Sequence, residues 1–223
     1  MTGTATSGIT GTSTATPPSP QCVPISNVTD ALIIVDMQED FLVPGAPLLV
    51  PGGEALLGGI NAASAKLPFR HQVATQDWHP ENHCSFVAQG GPWPPHCVNG
   101  TAGAQLHTGL DTRRVNSIIR KGLSQQGDSY SAFLEYSGAP TGLAELLRSV
   151  GIRRVFVCGV AYDFCVFFTA MDARKSGFDV VVLEDLTAAV DDAARAARTA
   201  ELKEAGVVLL SSSSLVPGEG REE

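Results

Sequence analysis

The sequence is poor in positive charge. Lys and Arg together number 15 against 23 Asp and Glu, a formal net charge of −8 over 223 residues. A protein that tracks nucleic-acid phosphates needs a basic field, so nucleic acid is not expected as a partner. The same deficit argues against docking on an anionic membrane surface, and no run approaches the roughly 18 apolar residues of a membrane span. Cysteine is sparse and odd in number: five residues, none in a CxxC pair. A complete disulfide framework is therefore excluded, and an intracellular, cytoplasmic setting is expected. The N-terminus has neither the basic nor the apolar region of a secretory signal, and Thr2 to Pro20 contains no Arg, as a mitochondrial leader would. What that stretch does contain is Thr, Ser, Ala, Gly and Pro, which bury too little to offset their ordering entropy. Residues 1–29 are expected to be a disordered tail, 30–216 one folded domain, and 217–223 a polar tail.

Hydrophobic residues make up 43% of the chain and charged residues 17%, enough apolar material for a core. The apolar material comes in short runs. Strands are expected at Ala31–Val35, His71–Gln76, Asn116–Lys121, Arg153–Val157, Asp179–Leu183 and Val207–Leu210. Helix-period segments fall at Glu54–Lys66, Thr141–Val150, Asp163–Ser176 and Asp191–Ala205. Strands that alternate with helices and are apolar throughout predict a parallel sheet covered on both faces, a three-layer α/β/α fold with six strands. In such sheets ligands bind beyond the carboxyl ends of the strands, so the residues just after each strand carry the functional argument.

The first strand runs into Asp36. A carboxylate following a buried apolar run is costly unless paired or catalytic, although a helix cap or loop anchor is the ordinary alternative, a role that suits Asp40 better. The second strand runs into Asp77 and His79, two positions apart and so on one side of an extended chain. His83 and His96 follow in the same connection. One Asp and three His make a ligand set for Zn²⁺, or for Fe²⁺ or Mn²⁺ when waters complete an octahedron; a His-rich surface loop is the bland alternative. Cys84 and Cys97 each directly follow one of these histidines and read as bystanders. The third strand ends in Lys121, which alone means little.

The fourth strand leads to Cys165, expected in the first turn of the next helix behind Asp163 as its cap. There the helix dipole and backbone N–H groups lower a thiol's pKa. Cys158, inside the strand, reads as a structural cysteine and serves as a control. A Cys at a helix start, a Lys and an Asp projecting from one sheet edge make the constellation of covalent acyl transfer, with Asp36 moving protons and Lys121 steadying the thiolate.

The blocks IIVDMQEDF (33–41), ATQDWHPENH (74–83), WPPHCVNGTAGAQLH (93–107), KG (121–122), DSYSAF (128–133) and GVAYDFCV (159–166) resemble the isochorismatase-like cysteine hydrolases, and within them the nicotinamidases. The resemblance implies Asp36, Lys121 and Cys165 as catalytic residues and Asp77, His79, His83 and His96 as metal ligands, with zinc as the first expectation and iron or manganese as alternatives. It implies a cis Val160–Ala161 peptide, an oxyanion hole from the Ala161 and Cys165 N–H groups, and aromatic residues Phe41 and Trp93 flanking the substrate. Val160, Ala161 and Tyr130 complete the expected substrate contacts. The implied reaction is hydrolysis of nicotinamide to nicotinate and ammonia in NAD salvage, with pyrazinamide as a second substrate; a homo-oligomer is left open. Tyr162 and Phe164 depart from the family pattern. Three rivals remain at this point: another amidase of the same fold that lacks the metal set, an inert metal-binding module, and a thiol redox protein.

Overall fold

The computed structural model describes residue 1 and residues 22–218. In chain order its strands are β1 (Val23–Ile25), β2 (Asp30–Val35), β3 (His71–Asp77), β4 (Ser117–Lys121), β5 (Arg154–Val160), β6 (Asp179–Ala188), β7 (Val208–Leu210) and β8 (Leu215–Pro217). Its α-helices are α1 (Glu39–Leu42), α2 (Leu57–Lys66), α3 (Leu143–Ser149), α4 (Phe167–Lys175) and α5 (Asp192–Glu204). All six expected strands join one sheet, in the order β4-β3-β2-β5-β6-β7, and every pairing in it is parallel.

The strand sequences explain the layering. β2 is buried at all six positions, because both of its faces are covered and alternate residues serve different cores. Ala31, Ile33 and Val35, with Val155 and Val157, face a core shared with Leu147, Phe167, Ala170 and Leu202 of α3, α4 and α5. Leu32 and Ile34, with Phe156 and Cys158, face the opposite core with Leu57, Ile60 and Ala63 of α2. Each such buried aliphatic side chain contributes about 1.5–3 kcal/mol. The result is the three-layer α/β/α sandwich expected from the alternation.

The topology locates the site. From β2 the chain builds outward through β3 to β4, then returns to the other side of β2 and builds through β5 and β6 to β7. The order therefore reverses between β2 and β5, and loops leaving their carboxyl ends diverge and open a crevice. Asp36 follows β2 at that point, and Ala161–Cys165 follows β5. The connection from β3 to β4 spans residues 78–116 with only a 3-10 turn at Val87–Gln89, a length typical of functional loops.

The structure corrects the sequence reading in three places. The limits at 30 and 216 cut through a second, two-stranded sheet, in which β1 pairs in parallel with β8, Val23 opposite Leu215 and Ile25 opposite Pro217. Ile25 and Leu215 are buried against the α2-side core, a contact that three-residue strands carrying proline do not advertise by periodicity. Of the tails expected at 1–29 and 217–223, residues 2–21 and 219–223 lie outside the described residues. Second, α4 begins at Phe167, after a π-helical turn at Tyr162–Val166. Third, Asp163 caps no helix there. Its two carboxylate oxygens accept the N–H groups of Val190 (3.0 Å) and Asp191 (2.9 Å), tying the turn after β5 to the turn after β6. Asp191 is the true cap, accepting from the Ala193 N–H at 2.9 Å at the start of α5. Among the described residues no helix is long and apolar enough to cross a membrane.

Candidate active site

Three strand ends bring Asp36, Lys121 and Cys165 together. Lys121, the last residue of β4, is fully buried, unlike an ordinary strand-end lysine, whose ammonium sits in solvent. Its Nζ donates to Cys165 Sγ at 3.3 Å and to Asp77 Oδ1, and lies 2.8 Å from Asp36 Oδ2. Thr75, on the neighbouring strand, donates its hydroxyl to Asp36 Oδ1 at 2.5 Å and accepts the Asp36 N–H at 3.1 Å. Asp36 Oδ2 lies against the ammonium in an ion pair without an aligned hydrogen bond, and it is the carboxylate oxygen that Thr75 leaves open. Asp36 sits at φ 48°, a left-handed conformation that costs a β-region aspartate about 1–3 kcal/mol and is characteristic of functional turns. The turn bearing Cys165 depends on Gly159, at φ 107°, where a Cβ would lie 2.2 Å from the Val35 carbonyl oxygen. The Val160–Ala161 peptide is cis, as the resemblance implied.

Burial pulls the Lys121 ammonium toward neutrality, but Asp36 and Asp77 outweigh it and hold the group well above its ordinary pKa. Burial raises Asp36 above the usual carboxylate range despite Lys121. Burial likewise drives the Cys165 thiol well above its ordinary value; Lys121 opposes this, while Asp36 and Asp77 add to it. This corrects the sequence expectation of a lowered thiol pKa: α4 starts two residues beyond the sulfur, and burial outweighs Lys121.

Beside this trio lies a cluster of imidazoles. Asp77, His79 and His96 each offer a ligand atom, all within 4.8 Å of one another. His79, His83 and Asp128 form a second such set through the shared His79, and the His79 and His83 rings stack at 4.0 Å. His83 thus stands next to the principal set and is grouped with Asp128 rather than with Asp77 and His96. Each imidazole is anchored through Nδ1: His79 on the Gly122 carbonyl (2.9 Å), His83 on Ser85 Oγ (2.6 Å) and His96 on the Pro94 carbonyl (2.8 Å). Anchoring one ring nitrogen is the usual way to aim the other at a cation. Gly122 permits the first contact, since at φ 67° a Cβ there would meet the His79 ring at 2.5 Å. His83 Nε2 is buried with no partner, an unmet cost of about 1–3 kcal/mol that a bound cation would relieve. Burial keeps His83 and His96 below their ordinary pKa, hence neutral, as ligation requires. Burial and Lys121 act oppositely on Asp77, and Lys121 and His79 together hold it ionised. These donors fit a divalent cation. Cys84 and Cys97 belong to neither set.

A cavity connects the two groups. Asp77, His96 and Cys165 lie at its polar end with Asp128, and its walls are Phe41, Leu48, Val50, Trp93, Tyr130, Ala161, Phe164 and Val190. Phe41, Trp93, Tyr130 and Ala161, expected as substrate contacts, all line this cavity. Val160 is not a wall: its side chain is fully buried in the α2-side core. Trp93 Nε1 donates to the Tyr130 hydroxyl at 3.4 Å, and Phe164 packs edge-on against Trp93 at 5.4 Å.

Sequence reasoning missed several contributors. Gln38 clamps the end of β3, accepting the Asp77 N–H at 2.7 Å and donating to the Asp77 carbonyl at 2.8 Å. Thr75 supports Asp36, Phe86 packs against all three imidazoles, and Asp128 joins the cation cluster. Gln38 and Asp128 stood inside the recognisable blocks, but their partners are distant in sequence. Asp40, read as a loop anchor, accepts the Cys97 N–H at 2.7 Å.

The chain was compared with known proteins. The isochorismatase domain model matches residues 30–214. The nicotinamidase of Acinetobacter baylyi is 43% identical over 178 residues, 72% of this chain and 82% of that protein. The nicotinamidase/pyrazinamidase of Mycobacterium tuberculosis is 41% identical over 187 residues, 82% of this chain and 99% of that protein. Among solved structures, a protein of L. infantum in complex with nicotinate superposes with a TM-score of 0.87 at 76% identity, covering 88% of this chain and 99% of that one. The pyrazinamidase of Pyrococcus horikoshii in complex with zinc superposes with a TM-score of 0.73 at 39% identity, covering 82% and 98%.

Proposed function

We propose that this chain, which belongs to the isochorismatase family, is a nicotinamidase: it hydrolyses nicotinamide to nicotinate and ammonia, takes pyrazinamide as a second substrate, and serves pyridine-nucleotide salvage. The observation that carries the reading is the Cys165 thiol, 3.3 Å from the Lys121 ammonium, at the floor of an aromatic-walled cavity whose other polar residues belong to a cation site. Relatives at 43% and 41% identity carry the nicotinamidase name, and the L. infantum neighbour is a nicotinate complex.

The chemistry follows from the chain's own groups. The flat pyridine ring lies among Phe41, Trp93, Tyr130 and Phe164, where aromatic contacts bind it and exclude water. Asp77, His79 and His96, with His83 beside them, would hold a divalent ion, zinc first among the candidates. When bound, that ion supplies a Lewis-acidic anchor for the ring nitrogen and so fixes the amide over the sulfur. Asp36 takes the Cys165 proton as the sulfur attacks the amide carbon, and Lys121 compensates the charge as it develops. The carbonyl π bond opens and its electron pair moves to oxygen, which is met by the Ala161 and Cys165 N–H groups; one such donor is worth about 2.7–4 kcal/mol in the transition state. The C–N bond then breaks, with the proton on Asp36 passing to the departing ammonia. Water attacks the resulting thioester while Asp36 removes its proton. The C–S bond breaks, the proton on Asp36 returns to sulfur, and the acid gives up its remaining proton to ammonia, leaving nicotinate and ammonium.

The test is ammonia release from nicotinamide by protein whose metal content is measured on the same sample. Turnover with about one divalent ion per chain is expected. Metal-replete protein that releases no ammonia from nicotinamide, yet does so from a non-aromatic amide, would overturn the assignment.

A further inference from the structure

The charge count around the proposed cation is short by one. Asp77 is the sole carboxylate in the principal ligand set, yet one of its oxygens is the hydrogen-bond acceptor of Lys121. Lys121 also lies against Asp36, so the one buried ammonium already draws on both carboxylates. A dication added here faces imidazoles, which bring no negative charge, and a carboxylate shared with the Lys121 ammonium, which is expensive in a buried site.

Asp128 is the residue placed to close that gap. It lies on the wall of the same cavity, and a carboxylate oxygen comes within 4.8 Å of ligand atoms on both His79 and His83. Its Oδ1 accepts the N–H of Ser129 at 3.0 Å, a local bond that orients the side chain. No Lys or Arg pairs with it among the described residues. Independently of Asp128, His83 is fully buried and its Nε2 has no partner. Two polar groups thus stand at the same corner, one lacking a counter-charge and one lacking a partner, on the side of His79 where a cation is proposed.

We propose that Asp128 is a positioning residue of the cation site, supplying with His83 the negative charge and the donor that Asp77, committed to Lys121, cannot supply alone. The inference rests on the metal reading above. It makes the site a mixed carboxylate–imidazole one with five candidate protein groups, more than a closed tetrahedral site uses and suited to six-coordination completed by water or substrate.

The experiment titrates Co²⁺ into metal-free full-length protein and follows the visible absorption of the bound ion, which reports affinity and coordination without any turnover. The wild-type chain, Asp128→Asn and His79→Ala are compared, with circular dichroism as the check on folding. Asp128→Asn keeps the shape and the Ser129 bond while removing the charge. It is expected to weaken binding about 10–100-fold and to alter the absorption band, with Asp128→Glu recovering part of the loss. If Asp128→Asn fails to fold, Asp128→Ser is read in its place. Binding and spectrum unchanged in Asp128→Asn, while His79→Ala abolishes both, overturn this role and leave the metal reading standing. No Co²⁺ or Zn²⁺ binding by the wild-type chain overturns both.

Discussion

Cys158 and Cys165 are seven residues apart, one within β5 and one in the turn that follows it. Both are buried, and burial pushes both thiols above their ordinary pKa. By sequence type and burial alone they are the same residue. They differ in what surrounds the sulfur. Cys158 points into the α2-side core, where its nearest polar contact is the Ile33 carbonyl at 3.8 Å. Cys165 points to the other side of the sheet, onto a cavity wall, with an ammonium 3.3 Å away and, against that ammonium, the Asp36 carboxylate oxygen that Thr75 leaves open. A buried thiol becomes a nucleophile when its proton has somewhere to go and its anion has a counter-charge; depth contributes neither.

The largest expected effect follows from removing the reactive sulfur. Cys165→Ala should lower turnover by at least about 10⁴-fold, with the melting temperature and the bound metal nearly unchanged. Nicotinate production at a wild-type rate by this variant would break the comparison at once, since the two cysteines would then be equally dispensable.

Next in size is Lys121→Met, which turns the surroundings of Cys165 into something closer to those of Cys158. It leaves Asp36 and Asp77 facing each other in a buried site without their cation, and losing one partner of a buried charge set costs about 3–5 kcal/mol. Chemical denaturation should show that loss. Alkylation of Cys165 by iodoacetamide, read by peptide mass spectrometry, should slow to the rate of Cys158. Fast labelling in the variant would show that the ammonium does not activate the sulfur.

His79→Ala addresses the other side of the cavity. It should remove the bound metal, measured by elemental analysis, and reduce kcat/KM about 10²-fold or more. Labelling of Cys165 should continue, because Lys121 and Asp36 are in place without it. Loss of thiol reactivity together with metal would show that the two corners are one unit.

This division also explains how much could be read from sequence. The six strands, their parallel arrangement and the strand-end positions of Asp36, Asp77, Lys121 and Cys165 were legible because β2 and β5 are buried on both faces and, after a charged first residue, are written as apolar runs. The histidines of 79–96 were legible as a group by density. Pairings between distant segments were not. Thr75 reads as one more residue of a strand until its hydroxyl meets Asp36, and Gln38 reads as polar filler until it clamps Asp77. Asp163 has the composition of a helix cap, but a π turn displaces the helix start and sends its carboxylate to Val190 and Asp191. The β1–β8 pair is invisible because strands of three residues are too short to show a period. The lowered thiol pKa expected of Cys165 failed for a related reason: position in the chain suggests a helix start, whereas desolvation depends on everything packed around the sulfur.

The smallest effect expected is that of Cys158→Ala. Removing one buried sulfur from the α2-side core should cost about 1 kcal/mol, the scale for deleting a single heavy atom from a packed interior, or a few degrees in Tm for a chain of this size. Turnover should stay within about twofold of wild type, since the side chain lies across the sheet from the nucleophile and its sulfur touches only core residues and a strand carbonyl. The backbone of β5 does connect the two sites, however: Gly159 packs against Val35 directly ahead of Asp36, so a shift of this strand would reach the Asp36 carboxylate within two residues. A loss of kcat much greater than the loss of stability predicts would mean that the strand transmits core packing to the site, and that Cys158 is not the inert counterpart its surroundings indicate.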